Sequence, residues 1–401
     1  MTPTLADDVE AAARFGADGG GVTREAWTPV LLEAYEWLGG RLRALGLDVE
    51  VDAAGNLLAR WDAGTGPAVL LGSHFDTVPG GGRYDGALGL LAGMHAIRML
   101  RERGLRPARP VWLAAFMDEE GSRFGTGMLG SRAFCGEDVS ALLERRDRDG
   151  TTVAQAMAAL GFDPARVAGA RAIDRVGAYL ELHIEQGPVL EQRGADVGVV
   201  TGIVGMIGLH ATFSGRAGHA GTTPMELRRD ALVAAARAVV AIREEGRRTG
   251  GLVTTVGRMA VRPGAFNVIP SEVELTIDVR ALEAGTLKAA EAGIRAALAE
   301  IAEQEGVACE LRDSHRMPPQ AMDAALLARL REAAAAEGAS AIDLPSGAGH
   351  DATILAPHVP AAMLFVPSRG GISHHPEELT TAAQCELGAR VLARAVGLLA
   401  A

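Results

Sequence analysis

Two short apolar runs bracket an amphipathic stretch early in the chain, and that order restricts the possible folds more than any other feature. Pro67-Ala68-Val69-Leu70-Leu71 and Val111–Met117 carry no polar residue and are too short for helices. Such runs read as strands buried on both faces. Between them, Gly86–Arg103 has helical spacing, with Gly104 as a C-cap candidate and Pro107 as a stop. Strand, helix, strand is the unit of a parallel sheet. Open α/β sheets bind their ligands just beyond the carboxyl ends of the strands. There the first run delivers Gly72-Ser73-His74-Phe75-Asp76-Thr77, then Gly80, Gly81 and Gly82, then Asp85; the second delivers Asp118-Glu119-Glu120.

The rest of the first 205 residues fits the same scheme. Residues 26–45 place Leu31, Leu32, Tyr35, Leu38, Leu42 and Leu45 at helical spacing, and Val49–Arg60 reads as a hairpin. Residues 136–175 hold charge and helix formers but no evident chemistry. Tyr179–Ile184 alternates: Leu180, Leu182 and Ile184 share one face, and Glu181, His183 and Glu185 the other. His183 is therefore expected to point away from the apolar face.

From Gly205 the character changes. Strand (206–213), helix (224–245), strand (252–261), strand (272–280), helix (284–304) and strand (307–312) follow in order, the β-α-β-β-α-β order of a ferredoxin-like domain. Thr223-Pro224-Met225-Glu226 reads as a capping box with proline at the first helical position. Met317-Pro318-Pro319 is the exit, after which helix 323–337, strand Ala361–Val366 and a helix from about Thr381 return to the first pattern. The expected architecture is α/β: a catalytic domain with a mixed, mainly parallel sheet (1–205 and 319–401), interrupted by an inserted α+β domain (206–318).

His74, Asp76, Asp85, Glu119, Glu120, His183, His350, Asp351, His374 and His375 all fall at strand ends or in the loops after them. Imidazole and carboxylate donors without cysteine suit Zn²⁺, Mn²⁺, Co²⁺ or Ni²⁺. Two such ions can share a carboxylate and activate one water. Cys135, Cys309 and Cys385 form no C-x-x-C pair, so neither a thiolate site nor a disulfide frame is expected. The net charge of −11 argues against a nucleic-acid or anionic-membrane surface. Every long Ala/Leu-rich stretch is broken by charges, and the N-terminus lacks the apolar core of a secretory signal. A cytoplasmic protein with no membrane span is expected.

GSHFDTVPGGGRYDG, MDEEGSRF, ELHIEQG, GRAGHAGTTPM, AFNVIP with DVR after it, SGAGHDA and ISHHPEE, spread over residues 72–378, resemble the amidase/carbamoylase branch of the di-zinc aminoacylase and carboxypeptidase clan. That branch includes N-carbamoyl-L-amino-acid hydrolases, allantoate amidohydrolases and β-ureidopropionases. The resemblance implies that His74 and His183 hold one metal, Asp85 bridges, and Glu120 and His374 hold the other. It implies Glu119 as general base and later acid, and Asp76 as the partner that orients His74. It makes the inserted domain a lid and dimerisation element of a homodimer, in which His219 polarises the scissile carbonyl. Asn267 and Arg280 hold a substrate carboxylate, Gln186 contacts the substrate amide, and Gly347 and Gly349 line the pocket. The family pattern Ser-His-x-Pro has a second histidine here, His375; the register with Ser373 and Pro376 points to His374. The expected activity is metal-dependent cleavage of the ureido C–N bond of N-carbamoyl-L-amino acids; the alternatives are allantoate or another ureido-acid or amino-acid amide as substrate and, more distantly, a non-catalytic binding protein on the same scaffold, and the role of His350 stays open.

Overall fold

The computed structural model describes residues 3–401. The chain divides into two compact units: one of residues up to Thr201 together with Met322–Ala401, the other of Gly202–Ala321. Among the described residues no helix is long and apolar enough to cross a membrane.

The first unit is built on a mixed sheet. Across it the strands run Asp48–Val51, Leu57–Trp61, Val111–Phe116, Ala68–His74, Val176–Ile184, Ala361–Val366 and Val197–Ile203. The four central strands are mutually parallel, and their neighbours on either side pair antiparallel. The helix Ala87–Glu102 supplies the crossover between the His74 strand and Val111–Phe116. The central strands are buried along both faces, which is why they read as unbroken apolar runs. The strand carrying His183 departs from this in sequence but not in burial: Glu181 and His183 are each 1% exposed. Its alternation separates an apolar face from a buried polar face, not from solvent.

In the second unit four antiparallel strands lie in the order Leu252–Arg262, Glu272–Ala281, Gly205–Ser214, Ala308–Met317. Val273, Leu275, Ile277 and Val279 point into a core shared with the helices Ala231–Arg248 and Ala284–Glu305. Two sequence expectations are corrected here. The first helix starts at Ala231, not at the Thr223-Pro224 box, and Asp230 caps it by accepting from the amides of Leu232 and Val233. Pro224 is extended (ψ 149°), and the Arg228 guanidinium takes the Thr223 carbonyl, the first acceptor of a helix starting there, together with that of Ala220. The last strand runs on to Met317, past Arg312. It is an edge strand with mostly exposed residues, so apolar alternation does not mark its end.

Arg24 ties the N-terminal segment to the end of the His74 strand. It is 1% exposed; its Nε donates to the Phe75 carbonyl, and Nη1 to the carbonyls of Ala12 (3.0 Å) and Phe15 (3.1 Å). The guanidinium lies 4.2 Å from the centre of the Phe75 ring. Burial lowers its pKa to about 10, still charged at neutral pH. Arg24→Met leaves three carbonyls short of charged donors and is expected to destabilise the protein by roughly 2–4 kcal/mol. The readout is the urea midpoint of metal-loaded protein; an unchanged midpoint would show that water replaces the guanidinium.

Candidate metal centre

The carboxyl ends of the four central strands lie on one edge of the sheet, and each strand or the loop after it contributes to one cluster, buried except at His374, whose side chain is half exposed. His74 ends its strand. Its Nδ1 lies 3.0 Å from the Asp76 carbonyl, which requires an N–H there and leaves Nε2 free to face Asp85 Oδ1 (3.6 Å) and Glu119 Oε2 (3.7 Å). His183 repeats the arrangement: Nδ1 lies 2.9 Å from the Ile184 carbonyl, and Nε2 lies 3.2 Å from Asp85 Oδ1. The close approach needs Gly86, whose φ is +62° and where a Cβ would stand 2.4 Å from the His74 ring.

The other Asp85 oxygen faces a second group. Oδ2 lies 3.1 Å from His374 Nε2 and accepts from Gln186 Nε2 (2.9 Å) and Ser373 Oγ (3.1 Å). Glu120 Oε2 lies 3.6 Å from the same His374 nitrogen, and its Oε1 is buried without a hydrogen-bond partner. His374, not His375, turns towards Asp85; His375 Nδ1 accepts instead from the Glu377 amide.

Glu119 and Glu120 are adjacent, yet both reach the cluster because the chain leaves the strand through Asp118 at φ +61° and Gly121 at φ +60°. Asp76 fixes this turn. Its two carboxylate oxygens accept from the amides of Glu119 (3.3 Å) and Glu120 (3.2 Å). The expectation that the Asp76 carboxylate orients His74 is therefore modified: its carbonyl takes the imidazole Nδ1, while the carboxylate lies 3.9 Å away and is occupied by the two glutamate amides. Asp118, Gln186 and His374 are three of the five non-glycine residues at positive φ among the described residues, so backbone strain gathers at the cluster.

The electrostatics call for cations. Burial pushes Glu119 well above the usual carboxylate range, with the charges of Asp351, Glu120, Asp76 and Asp85 adding to it. Burial and Asp85 carry Glu120 to about 8. Burial opposes ionisation of Asp85, but hydrogen bonds from His183 and His374 outweigh it and hold the carboxylate well below its ordinary value. Burial lowers His183 while Asp85 and Glu181 raise it, leaving it at about 9; the Asp85 hydrogen bond likewise carries His374 to about 9. Without cations, protons on these groups neutralise the cluster.

The donors fit metal in two sets that share Asp85: His74, Asp85 and His183, and Asp85, Glu120 and His374, with the donor atoms of each set within 4.8 Å of one another. A third grouping, Glu181, His183 and His350, meets the same distance. Its donors are already engaged: Glu181 accepts from Ser73, Tyr179 and the Ala352 amide, and His350 Nε2 lies 2.8 Å from Ser346 Oγ. His350 packs its ring 4.5 Å from that of His183.

A sequence profile of the peptidase family M20/M25/M40 matches residues 70–397. The chain belongs to this family. It is 44% identical to an N-carbamoyl-L-amino acid amidohydrolase of Geobacillus stearothermophilus, over 95% of this chain and 94% of that protein. It is 37% identical to an allantoate amidohydrolase of Bacillus subtilis (strain 168), over 97% and 95%. The crystal structure of an amidase of the hydantoinase/carbamoylase family from Burkholderia multivorans superposes with a TM-score of 0.92 at 37% identity, covering 99% of this chain and 97% of that one.

In this member of family M20/M25/M40 the remaining expected residues fall in two places. Gly347 and Gly349 lie in the loop between Ser346 and His350, whose own ring packs on that of His183. His219 and Asn267 are brought together within the second unit, where His219 pairs with Val268 and the Ala220 amide donates to the Asn267 carbonyl (3.0 Å); both side chains are exposed. Arg280, in the same unit, forks onto Asp278, with Nε 2.7 Å from Oδ1 and Nη2 3.1 Å from Oδ2. The sequence reading assigned nothing to Ser373, Glu378 or Glu181. The first two stood in ISHHPEE, and Glu181 stood two residues before His183 on the polar face.

Proposed function

We propose that this chain is a metal-dependent amidohydrolase that cleaves the carbamoyl C–N bond of N-carbamoyl-L-amino acids, giving the amino acid, ammonia and carbon dioxide. One observation carries the reading: the two oxygens of a single buried carboxylate, Asp85, face different imidazole groups, His74 with His183 on one side and His374 on the other. That is how a carboxylate bridging two divalent ions is presented. The proposed centre would hold two of them, Zn²⁺, Mn²⁺, Co²⁺ or Ni²⁺, with His74 and His183 as donors to one, Glu120 and His374 to the other, and Asp85 to both. When bound, the pair acidifies a water and polarises the ureido carbonyl.

The chain's own groups then do the following. Glu119, nine-tenths buried and facing the cluster through Oε2, takes the proton of the attacking water. The water oxygen bonds to the ureido carbon, and the bond from that carbon to the leaving nitrogen breaks as Glu119 returns the proton to that nitrogen; the carbamate that remains then breaks its own C–N bond in water, so that carbon dioxide, ammonia and the amino acid are the final products. Asp76 keeps Glu119 and Glu120 in register through their amides. In the same reading Gly202–Ala321 is the lid and dimerisation unit of a cytoplasmic homodimer. His219 stabilises the oxyanion and Asn267 helps hold the substrate carboxylate. Arg280, whose fork already accommodates the Asp278 carboxylate, supplies a bidentate contact. Gln186, with Oε1 buried and unpartnered, accepts from the substrate amide, and Gly347 and Gly349 line the pocket.

The test is ammonia release by protein loaded with Mn²⁺, Co²⁺ or Zn²⁺. The substrates are N-carbamoyl-L-amino acids of varied side chain, their D-isomers and allantoate, with EDTA-treated protein as control. Turnover of the L-carbamoyl series that EDTA abolishes is expected. Turnover of allantoate alone would keep the centre and overturn the substrate.

A further inference from the structure

Glu378 reaches the centre from 293 residues beyond Asp85 in the chain. It is 3% exposed and touches both halves of the cluster's second side. Its Oε1 accepts from the amides of Tyr84 (2.9 Å) and Asp85 (3.1 Å). Its Oε2 lies 3.1 Å from Ser373 Oγ, which in turn lies 3.1 Å from Asp85 Oδ2, so one hydroxyl proton is held between two carboxylates. A tight turn, closed by the Glu378 amide on the His375 carbonyl (3.0 Å), brings the side chain back under the His374 loop. Room for it exists only because residue 82 is glycine; a Cβ there would stand 2.0 Å from Glu378 Oε1.

We propose that Glu378 is a positioning residue of the metal centre: it locks the backbone carrying Asp85 to the loop carrying His374, and so sets the spacing of the cation site those two residues share. Two loops far apart in sequence converge on it; the Asp85 loop is bridged to Val22 at Gly81, four residues before Asp85, and Glu378 is what ties its Asp85 end to the His374 loop. Ser373 is the second strut, joining the Glu378 carboxylate to the Asp85 oxygen that faces His374. The inference rests on the di-metal reading of the centre. Outer groups of this kind typically set metal affinity by about 10–100-fold.

The experiment is a chelator competition on full-length protein with Zn²⁺ as the probe, alongside urea unfolding and steady-state kinetics on a carbamoyl-amino acid. Glu378→Ala is expected to weaken the more weakly held Zn²⁺ equivalent by about 10–100-fold. Its kcat is expected to fall at limiting Zn²⁺ and to recover towards wild type as Zn²⁺ is raised, with KM little changed. Glu378→Gln keeps an acceptor for the two amides but turns an N–H₂ towards Ser373; it is expected to lie between Glu378→Ala and wild type. If Glu378→Ala unfolds, Ser373→Ala reads the same link from the other end and should weaken the same equivalent. Wild-type Zn²⁺ affinity for both equivalents in a folded Glu378→Ala, or in Ser373→Ala where that variant stands in, overturns the proposal. A wild type that takes up no Zn²⁺ overturns the metal-centre reading and this inference with it.

Discussion

Glu119→Gln is expected to lower kcat by about 10²–10⁴-fold while leaving bound metal close to the wild-type value. The side chains match in size, and the Glu119 backbone amide still donates to Asp76, so the turn that places Glu120 is retained. What is lost is a proton acceptor held among buried carboxylates. The burial that raises Glu119 in the metal-free protein shows how poorly this position tolerates an isolated negative charge. Cations beside it reverse that preference and leave a carboxylate able to take a proton and give it back. Metal analysis after desalting and kcat on a carbamoyl-amino acid are the two readouts. A variant that loses metal in proportion to activity would make Glu119 a ligand and leave the base unassigned.

Asp85→Ala should have the broadest effect of any single change. One carboxylate meets His74 and His183 through one oxygen, and His374, Gln186 and Ser373 through the other. Removing it takes a donor from both proposed cation sites and leaves three imidazoles facing one another without their anion. Activity is expected to fall to the level of EDTA-treated protein. Metal capacity should drop by at least one equivalent, with a loss of affinity beyond the roughly 10–100-fold of outer-group changes. Retention of two tightly held equivalents would show that Asp85 is a hydrogen-bond hub and not a bridge. Comparison with Glu378→Ala separates the two kinds of damage, because excess metal is expected to rescue the latter and not the former.

Most of the parallel sheet was legible because strands buried on both faces read as apolar runs, as Val111–Phe116 shows; Val176–Ile184, which carries Glu181 and His183 on a buried polar face, was legible by its alternation instead. The second unit was legible for the opposite reason: Glu272–Ala281 alternates strictly between core and surface. The boundary at Thr223-Pro224 misled because a local capping pattern says nothing of a competing side chain five residues on, and Arg228 takes the Thr223 carbonyl. At the centre, residue types at strand ends suggested donors, but hydrogen-bond assignments depend on how loops turn. Nothing in His-x-Asp distinguishes a carbonyl from a carboxylate as the partner of His74, and the structure chooses the carbonyl. Glu378 was hidden by distance: its partners Tyr84 and Asp85 lie on the far side of an entire second unit in the chain.

That separation has a temporal side. Translation proceeds from the N-terminus, so His74, Asp85 and His183 leave the ribosome before any residue of Gly202–Ala321, and His374 only after all of them. The two halves of the centre thus have different birth dates. A polypeptide stopped anywhere between Thr201 and His374 carries every donor of the first set and lacks the imidazole of the second. Such a fragment is not a weakened copy of the finished centre. It is a different object, one that carries the His74, Asp85 and His183 donors without the His374 imidazole, and the second half must be added to it by the last stretch of the chain to emerge.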